Sequence, residues 1–252
     1  IGSIINEGTI TAQEKGYIAL LSPKVLNEGV IRAVKGTVSL AGADKIELTL
    51  DSSGLKTVIV EPSTIETLIE NKSLVEADGG IIYIGVKQAA QLLDTAMNIK
   101  NSGTLQANSM DDLLGKVTLD GDNIEVSGTI QAKEGVVRVG NQNNNKTIIK
   151  STANLEGNFV ETSGKSLKVE DGVTIKAKEW LLDPYDITVA SSGTETLSGT
   201  PATTSSATGN VTVSAATIQT QLNAGTSVLL DATNNITVNQ DISKTAGGDA
   251  TL

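Results

Sequence analysis

The 252-residue chain contains no cysteine and no histidine. Without cysteine it can form neither disulfide bonds nor a thiolate metal site, and without histidine it lacks the commonest general base and transition-metal ligand. Aromatic residues make up only 2% of the sequence, whereas hydrophobic residues make up 38%. Because aromatic rings usually supply much of a globular core, this core must be filled by aliphatic side chains in a narrow, regular space. We therefore expect stacked β-strands, no metal ion, no cofactor and no enzymatic activity.

The chain carries a net charge of −10, with 29 acidic and 19 basic residues. Such a surface repels phosphate backbones, so nucleic acid is not expected as a partner. No run of about 18 apolar residues occurs, and no transmembrane helix is predicted. No signal peptide is recognisable. The chain starts and ends within its strand pattern, and we interpret it as a section of a longer protein.

A short unit recurs along the chain, and each copy combines a turn with a strand. Asparagine and glycine tolerate the positive φ of a tight turn, and the residues after them alternate between apolar and polar side chains, as in a strand. Such a unit every 20–25 residues is typical of one coil of a solenoid. Roughly ten to twelve coils at the strand spacing would form a rod on the order of 50 Å long. The copies are Asn6–Ala12, Asn27–Ala33, Asn101–Ala107, Ser127–Ala132 and, in degenerate form, Glu170–Ala177.

The repeated positions predict a structural role for their residues rather than ligand binding. The asparagines are expected to stack as a ladder, with amide hydrogen bonds running from coil to coil. The glycines are expected to form the turns. The residues assigned to this ladder and to these turns are Asn6, Gly8, Asn27, Gly29, Asn101, Gly103 and Gly128.

Four stretches depart from the strand pattern. Pro62–Asn71 and Gln88–Met97 have the apolar spacing or composition of short helical excursions. Residues 191–210 consist almost entirely of Ser, Thr, Gly, Ala and Pro, which predicts a loop. Asn141–Asn145 is a second polar loop, and the strand pattern resumes after each of them.

Carboxylates supply the candidate sites for chemistry. Asp120, Asp122 and Glu125 offer hard oxygen ligands at close spacing, as calcium requires. Clustered carboxylates are also what polysaccharide-cleaving β-helix enzymes use. The competing interpretation, which we favour, is that Asp120–Asn123 is an ordinary turn between two strands. The same two interpretations, a glycosidase pair or loop residues, apply to Asp111 with Asp112 and to Asp183 with Asp186.

Two aromatic residues and several asparagines allow a binding or modification role. Trp180 and Tyr185 could stack on a sugar, although we favour the interpretation that Trp180 packs at a corner of a coil. Tripeptides that match the N-glycosylation pattern begin at Asn71, Asn145, Asn210 and Asn235.

The run from Asn6 to Gly42, followed by Asp44-Lys45, resembles the later part of the secretion domain of filamentous haemagglutinin-like proteins, which are two-partner secretion exoproteins. Lys178–Ile187 (KEWLLDPYDI) is similar to a signature found just beyond that domain. Segments that look like other parts of the same proteins are Glu76–Gly80, Gln88–Ala90, Asn101–Ala107 and the coils from Ala216 to Val238.

This resemblance implies a right-handed parallel β-helix and export across a bacterial outer membrane by a cognate transporter. Residues 1–110 would form the C-terminal part of the secretion domain, residues 111–190 and 211–252 further coils, and residues 191–210 a loop between coils. The family's asparagine-rich export motifs do not occur in this sequence, so no functional residue is carried over from them.

The expected function is that of a structural and adhesive shaft at the bacterial cell surface. It would attach to host cells, surfaces or biofilm matrix through a glycan or protein ligand, and it could self-associate laterally. One alternative is the stalk of a contact-dependent growth inhibition protein, which delivers a toxin. The other is a polysaccharide-degrading β-helix enzyme. The lack of histidine argues against it, and so does the presence of only two arginines in the sequence, Arg32 and Arg138.

Overall fold

The computed structural model describes residues 2–51, 54–89, 97–192 and 210–252. The fold is mostly β, with 56% of the chain in strands and 4% in helix. Apart from one hairpin, the strand pairs of the described residues are parallel. The predicted all-β class and the parallel pairing are therefore confirmed.

Most strands lie in three columns, here called A, B and C, and each of the first seven turns visits them in that order. Column A comprises β1 (Ser3–Asn6), β4 (Lys24–Asn27), β9 (Leu68–Asn71), β12 (Ile99–Asn101), β15 (Asn123–Val126), β17 (Lys146–Ile149) and β19 (Ser166–Val169). Column B comprises β2 (Thr9–Thr11), β5 (Val30–Arg32), β10 (Leu74–Glu76), β13 (Thr104–Gln106) and β20 (Thr174–Lys176). Column C comprises β3 (Tyr17–Leu21), β6 (Thr37–Gly42), β11 (Ile81–Val86), β14 (Lys116–Gly121), β21 (Glu179–Pro184) and β24 (Ser227–Leu230). Two long strands, β16 (Thr129–Val139) and β18 (Asn154–Gly164), cross from column B to column C.

The length of a turn depends on what is inserted into it. Aligned residues of column A are 21 residues apart in the first turn and 44 in the second. The longer turn carries an antiparallel hairpin, β7 (Ile46–Asp51) and β8 (Gly54–Val60), which packs on the outer side of column C. Later turns of 25 and 20 residues match the predicted coil length.

The core fills the space that the three columns enclose. Successive side chains of a strand point alternately into the core and towards the surface. In β11, Ile82 and Ile84 are fully buried, whereas the preceding residue Ile81 is exposed. The buried residues are almost all Ile, Leu, Val and Ala, as the scarcity of aromatic residues predicts. Each fully buried aliphatic side chain contributes about 1.5–3 kcal/mol, so this continuous core is the main source of stability.

The predicted helical excursion over Pro62–Asn71 is wrong. Residues 62–67 contain no helix, and residues 68–71 form β9, which pairs in register with Lys24–Asn27. Within this stretch Ser63 forms an isolated parallel bridge with Gln88. Pairing with a neighbouring turn outweighs a weak local helical preference. Most of the second predicted excursion, residues 90–96, lies outside the described residues.

The described residues include one α-helix, α1 (Ala215–Asn223), which lies where further strands are predicted. Its N-cap is Ser214, whose side chain accepts a hydrogen bond from the Thr217 backbone N–H at 3.0 Å. Ala215, Ile218 and Leu222 form its buried face. The helix takes the place of a column B strand and packs near β20.

Beyond β19 the order of strands in space departs from their order in the chain. A sheet of three strands has the order β23 (Asn210–Ser214), β22 (Asp186–Ala190) and β25 (Asn235–Val238). β23 also packs beside β19. It therefore lies between β19 and β22, although it follows both in the chain. The predicted loop over residues 191–210 falls almost wholly outside the described residues.

Candidate functional site

A ladder of buried asparagines runs along the corner between columns A and B. Asn6 Nδ2 donates to Asn27 Oδ1, and Asn27 Nδ2 donates to Asn71 Oδ1, both at 2.8 Å. Asn71 Nδ2 donates in turn to Asn101 Oδ1 at 2.8 Å. The next aligned residue is Val126, where the ladder ends. The structure thus brings together the three predicted asparagines and adds a fourth, so each amide satisfies a neighbour that water cannot reach.

The repeat pattern does not identify Asn71, because its unit has Ser73 where the other units have glycine. Its fully buried amide is committed to the ladder, so in the folded chain it cannot accept a glycan. Of the other asparagines in glycosylation tripeptides, Asn235 is exposed and Asn145 donates to Asn123 Oδ1 at 3.0 Å. The side chain of Asn210 lies outside the described residues.

Three of the four repeated glycines, Gly29, Gly103 and Gly128, are needed for close packing and not, as expected, for positive φ. None of Gly8, Gly29, Gly103 and Gly128 has a positive φ. A Cβ added at Gly29 would lie 2.0 Å from the Gly8 carbonyl oxygen, and one at Gly103 would lie 2.2 Å from the Ser73 carbonyl oxygen. Glycine therefore lets successive turns approach each other at this corner.

A polar cleft of about 420 Å³ lies on the outer side of column C. The loop between β16 and β17, which matches the predicted polar stretch Asn141–Asn145, folds over the ends of the column C strands. One end of this loop is tied to the stack by the hydrogen bond from Asn145 to Asn123. The cleft is lined by Lys87, Asp120, Asn141, Gln142, Asn143, Glu161 and Asp183.

Amide groups of the loop orient the carboxylates of the cleft. Asn141 Nδ2 donates to Asp120 Oδ1 at 2.7 Å. Gln142 Nε2 donates to Asp183 Oδ1 at 3.1 Å. Since Asp120 and Asp183 belong to β14 and β21, the loop connects strands that are several turns apart.

The electrostatic environment of the cleft is negative. Burial raises the pKa of Asp183, and the neighbouring carboxylates of Asp231 and Glu161 raise it further. Burial also raises the pKa of the Tyr83 hydroxyl, to which the charge of Asp120 adds. Glu161 is compensated by Arg138, whose Nε lies 2.8 Å from Glu161 Oε2. The cleft therefore holds more negative charge than the protein itself neutralises.

Asp120, Asp122 and Glu125 do not form a joint ligand site. Asp120 lines the cleft, Asp122 accepts a hydrogen bond from the Gln88 backbone N–H, and Glu125 lies on column A, 3.8 Å from Lys150 Nζ. Among the described residues no group of three or more His, Cys, Asp or Glu side chains could hold a metal ion.

The other candidate carboxylates stabilise turns. Asp111 and Asp112 have φ values of 51° and 62°, and Asp111 pairs with Lys35 at 2.9 Å. Hydrogen bonds from Lys35 to Glu14 and Asp111 raise the pKa of the lysine to about 12. Asp186 accepts hydrogen bonds from Asn234 Nδ2 at 2.9 Å and from the Asn235 backbone N–H at 3.0 Å, and thereby orients the next turn.

Trp180 lies inside the core, where its Nε1–H donates to Thr162 Oγ1 at 3.0 Å. It is fully buried and aligned with Val160 and Val228. The hypothesis that Trp180 stacks on a sugar is therefore wrong. The packing interpretation is confirmed, although the side chain lies in the core of the seventh turn rather than at a corner. Tyr185 is 37% exposed.

The buried position of Trp180, the only tryptophan of the chain, predicts its fluorescence. We expect a blue-shifted emission that acrylamide quenches weakly, and a red shift with strong quenching in urea, because burial removes the indole from water. Free N-acetyltryptophanamide under the same conditions is the control. Quenching of the folded protein at the rate of the free compound would contradict the burial.

The raised pKa of Asp183 predicts that Asp183→Asn stabilises the protein at pH 7. The folded state binds the Asp183 proton more tightly than the unfolded state, so the wild type loses stability as the pH rises above about 3.9, the unfolded pKa. Asparagine cannot ionise, and the advantage of the variant should vanish below that pH. The measurement is urea unfolding across the pH range.

Asp44→Asn is the control with the opposite sign. Hydrogen bonds from Thr64 lower the pKa of Asp44. This carboxylate therefore adds stability above its unfolded pKa and loses it as the pH falls, so its replacement should destabilise at pH 7 and have no effect in acid. If both variants shifted stability in the same direction at pH 7, the assignment would be wrong.

No helix among the described residues is long and apolar enough to cross a membrane.

Comparison with known proteins adds one distant similarity. No protein-family model matches the chain. Over 132 residues the chain is 29% identical to the heme/hemopexin-binding protein of Haemophilus influenzae, a match that covers 52% of this chain. The same match covers 13% of that protein, so the chain corresponds to a small part of its relative.

Proposed function

We propose that the chain is a section of a right-handed parallel β-helix that acts as the shaft of a secreted bacterial surface adhesin. The observation that carries this proposal is the stack of parallel strands, in register in three columns, that extends over seven turns. Such a stack is a solenoid, in which each turn contacts only its neighbours and the length grows with the number of turns.

The interactions along the stack support a mechanical role. Backbone hydrogen bonds link each turn to the next, and the asparagine ladder does the same inside a corner. Ion pairs between turns, such as Arg32 with Glu76 and Lys150 with Glu170, lie on the outer faces. Because these bonds run parallel to the long axis, bending the rod would break several of them together.

Secretion and export belong to the same proposal. The likeness of residues 6–45 and 178–187 to two-partner secretion exoproteins supports export by a cognate outer-membrane transporter and display at the cell surface. We do not extend to this chain the binding that is named for the Haemophilus influenzae relative. Haem iron is usually held by His, Cys, Met or Tyr, and the chain has neither of the first two.

We further propose that the shaft has no catalytic role. The carboxylates that the sequence groups together for polysaccharide cleavage are separated in the structure, as described for Asp120 and Glu125. Asp120 and Asp183 share the cleft, where each is held by an amide of the loop. A ligand on the host cell or in the matrix, of glycan or protein character, would bind to the outer polar surface. Lateral association of two shafts would use the same outer surface.

The test combines shape and adhesion. Small-angle scattering of the purified chain should give an elongated particle of constant cross-section, and a rounded particle would overturn the shaft. The labelled chain should bind host-cell surfaces or polysaccharide-coated plates saturably, while the supernatant is analysed for sugar fragments. Release of fragments would overturn the non-enzymatic proposal, and the absence of saturable binding to any surface would overturn adhesion by this section.

A further inference from the structure

The polar cleft on column C extends along the axis of the rod. Its lining residues lie in or shortly after five adjacent strands of column C, from Lys87 after β11 to Asp183 in β21. Four strand spacings correspond to about 19 Å. The cleft is therefore elongated, and its shape suits a short stretch of an extended polymer better than a compact ligand.

Two carboxylates in this cleft lack a counter-ion. Among the described residues, neither Asp120 nor Asp183 forms an ion pair, although amides of the loop hold both of them. Asp183 is only 7% exposed, and like charges on Glu161 and Asp231 raise its pKa. A buried carboxylate is costly unless it is paired, so a cationic group in the cleft would relieve a cost that the free protein carries.

The remaining lining residues favour sugars over peptides. Asn141 and Gln142 each use one amide N–H on Asp120 or Asp183, and Asn141 Oδ1 accepts from the Asn143 N–H. The second N–H of each of these two amides and the side-chain amide of Asn143 match the hydroxyl groups of a carbohydrate. Among the described residues no apolar side chain lines the cleft, so the hydrophobic side chains of a peptide would find no apolar surface to bury against. The excess of carboxylates repels acidic polysaccharides.

We propose that this cleft binds an extended glycan that carries free amino groups, with an ammonium group paired to Asp183 and sugar hydroxyls bonded to the loop amides and to Asp120. This assignment rests on the proposed adhesive function and names its ligand class. No bond is made or broken in the process. The loop Asn141–Asn145 acts as one wall of the site, and the column C strands form its floor.

The test is calorimetric titration of the intact chain with a glucosamine hexamer at pH 6. Saturable binding is expected, and the N-acetylated hexamer should bind at least about tenfold more weakly, because it lacks the ammonium group. Asp183→Asn and Asp120→Asn should each reduce the affinity by about tenfold or more. Asp112→Asn, the same change on an exposed residue outside the cleft, should have no effect.

Several results would overturn the assignment. These are equal affinity for the two hexamers, binding of an oligogalacturonate, or an affinity of Asp183→Asn equal to that of the wild type. Equally tight binding of tetralysine would show a surface that attracts cations without recognising sugars. Trp180 fluorescence and urea unfolding verify that each variant is folded, and Asp183→Asn is expected to be at least as stable as the wild type.

The glycan-binding cleft and the proposed adhesive function can fail independently of each other. Hexamer binding without attachment to any cell or coated surface would remove adhesion and leave the cleft as a glycan site. Attachment that is unchanged in Asp183→Asn and Asp120→Asn would leave the adhesin intact and overturn the cleft as its ligand site.

Discussion

Asn71→Ala is expected to lower the free energy of unfolding by about 4 kcal/mol, because it interrupts the asparagine ladder in the middle. The substitution removes the acceptor of Asn27 Nδ2 and the donor to Asn101 Oδ1, both at 2.8 Å in the wild type. All three side chains are buried, so no water replaces the lost partners. Each buried polar group left unpaired costs about 1–3 kcal/mol. The measurement is urea unfolding followed by circular dichroism and by Trp180 fluorescence.

Asn6→Ala is the matched control at the end of the ladder. Asn6 is bonded to one ladder neighbour, Asn27, and is 7% exposed. Its loss should cost about 1 kcal/mol, since within the ladder only Asn27 Oδ1 is deprived of a partner and the other bond lost, from the Gly8 N–H, is 3.3 Å long. The two probes should give one transition if the stack unfolds as a unit. Equal losses for the two variants would mean that the ladder does not act as a connected network.

Gly103→Ala is expected to destabilise the protein by about 3 kcal/mol, through a clash between neighbouring turns. The added Cβ would lie 2.2 Å from the carbonyl oxygen and 2.5 Å from the amide nitrogen of Ser73. Both atoms belong to the backbone of a paired strand region, so the clash is relieved only if the two turns move apart. Such a movement lengthens the parallel hydrogen bonds between β10 and β13.

Gly8→Ala is the control that separates this clash from the effect of alanine on the conformational entropy of the unfolded chain. Gly8 occupies the equivalent place in the first described turn, and nothing lies within 4 Å of its added Cβ. Alanine there should be neutral or stabilising by about 0.5 kcal/mol, because it restricts the unfolded chain. Urea unfolding of both variants provides the comparison. A loss of stability in Gly8→Ala similar to that in Gly103→Ala would assign the effect to local conformation instead of close packing.

The repeat predicted the columns and most of the ladder because each unit carries the same local signal. Asn27 and Gly29, for example, stand beside a strand whose alternation matches its buried and exposed faces. The reason for glycine at the repeated positions could not be predicted, because it lies in the close approach of the neighbouring turn and not in the local sequence around the glycine. Asn71 was missed for a related reason, as its unit contains Ser73 in place of glycine.

The cleft and the helix could not be predicted from local patterns. Asp120 and Asp183 are far apart in the sequence and become neighbours of one loop only when the turns stack. The polar run Asn141–Asn145 indicated a loop but not the surface on which it lies. The α1 segment is short and shares its Ala, Thr and Ile residues with the strands around it, so its periodicity is weak.

The strand order β23, β22, β25 has a consequence for the timing of folding. Each turn up to β19 can pair with a turn that has already been made, so this part can assemble while the chain is still emerging. β22 differs, because both of its partners follow it in the chain. It must wait until residues 210–214 arrive and insert between it and β19. We therefore expect assembly to proceed from the N-terminus through the first seven turns, to pause, and then to complete the last sheet once β23 lies between β19 and β22.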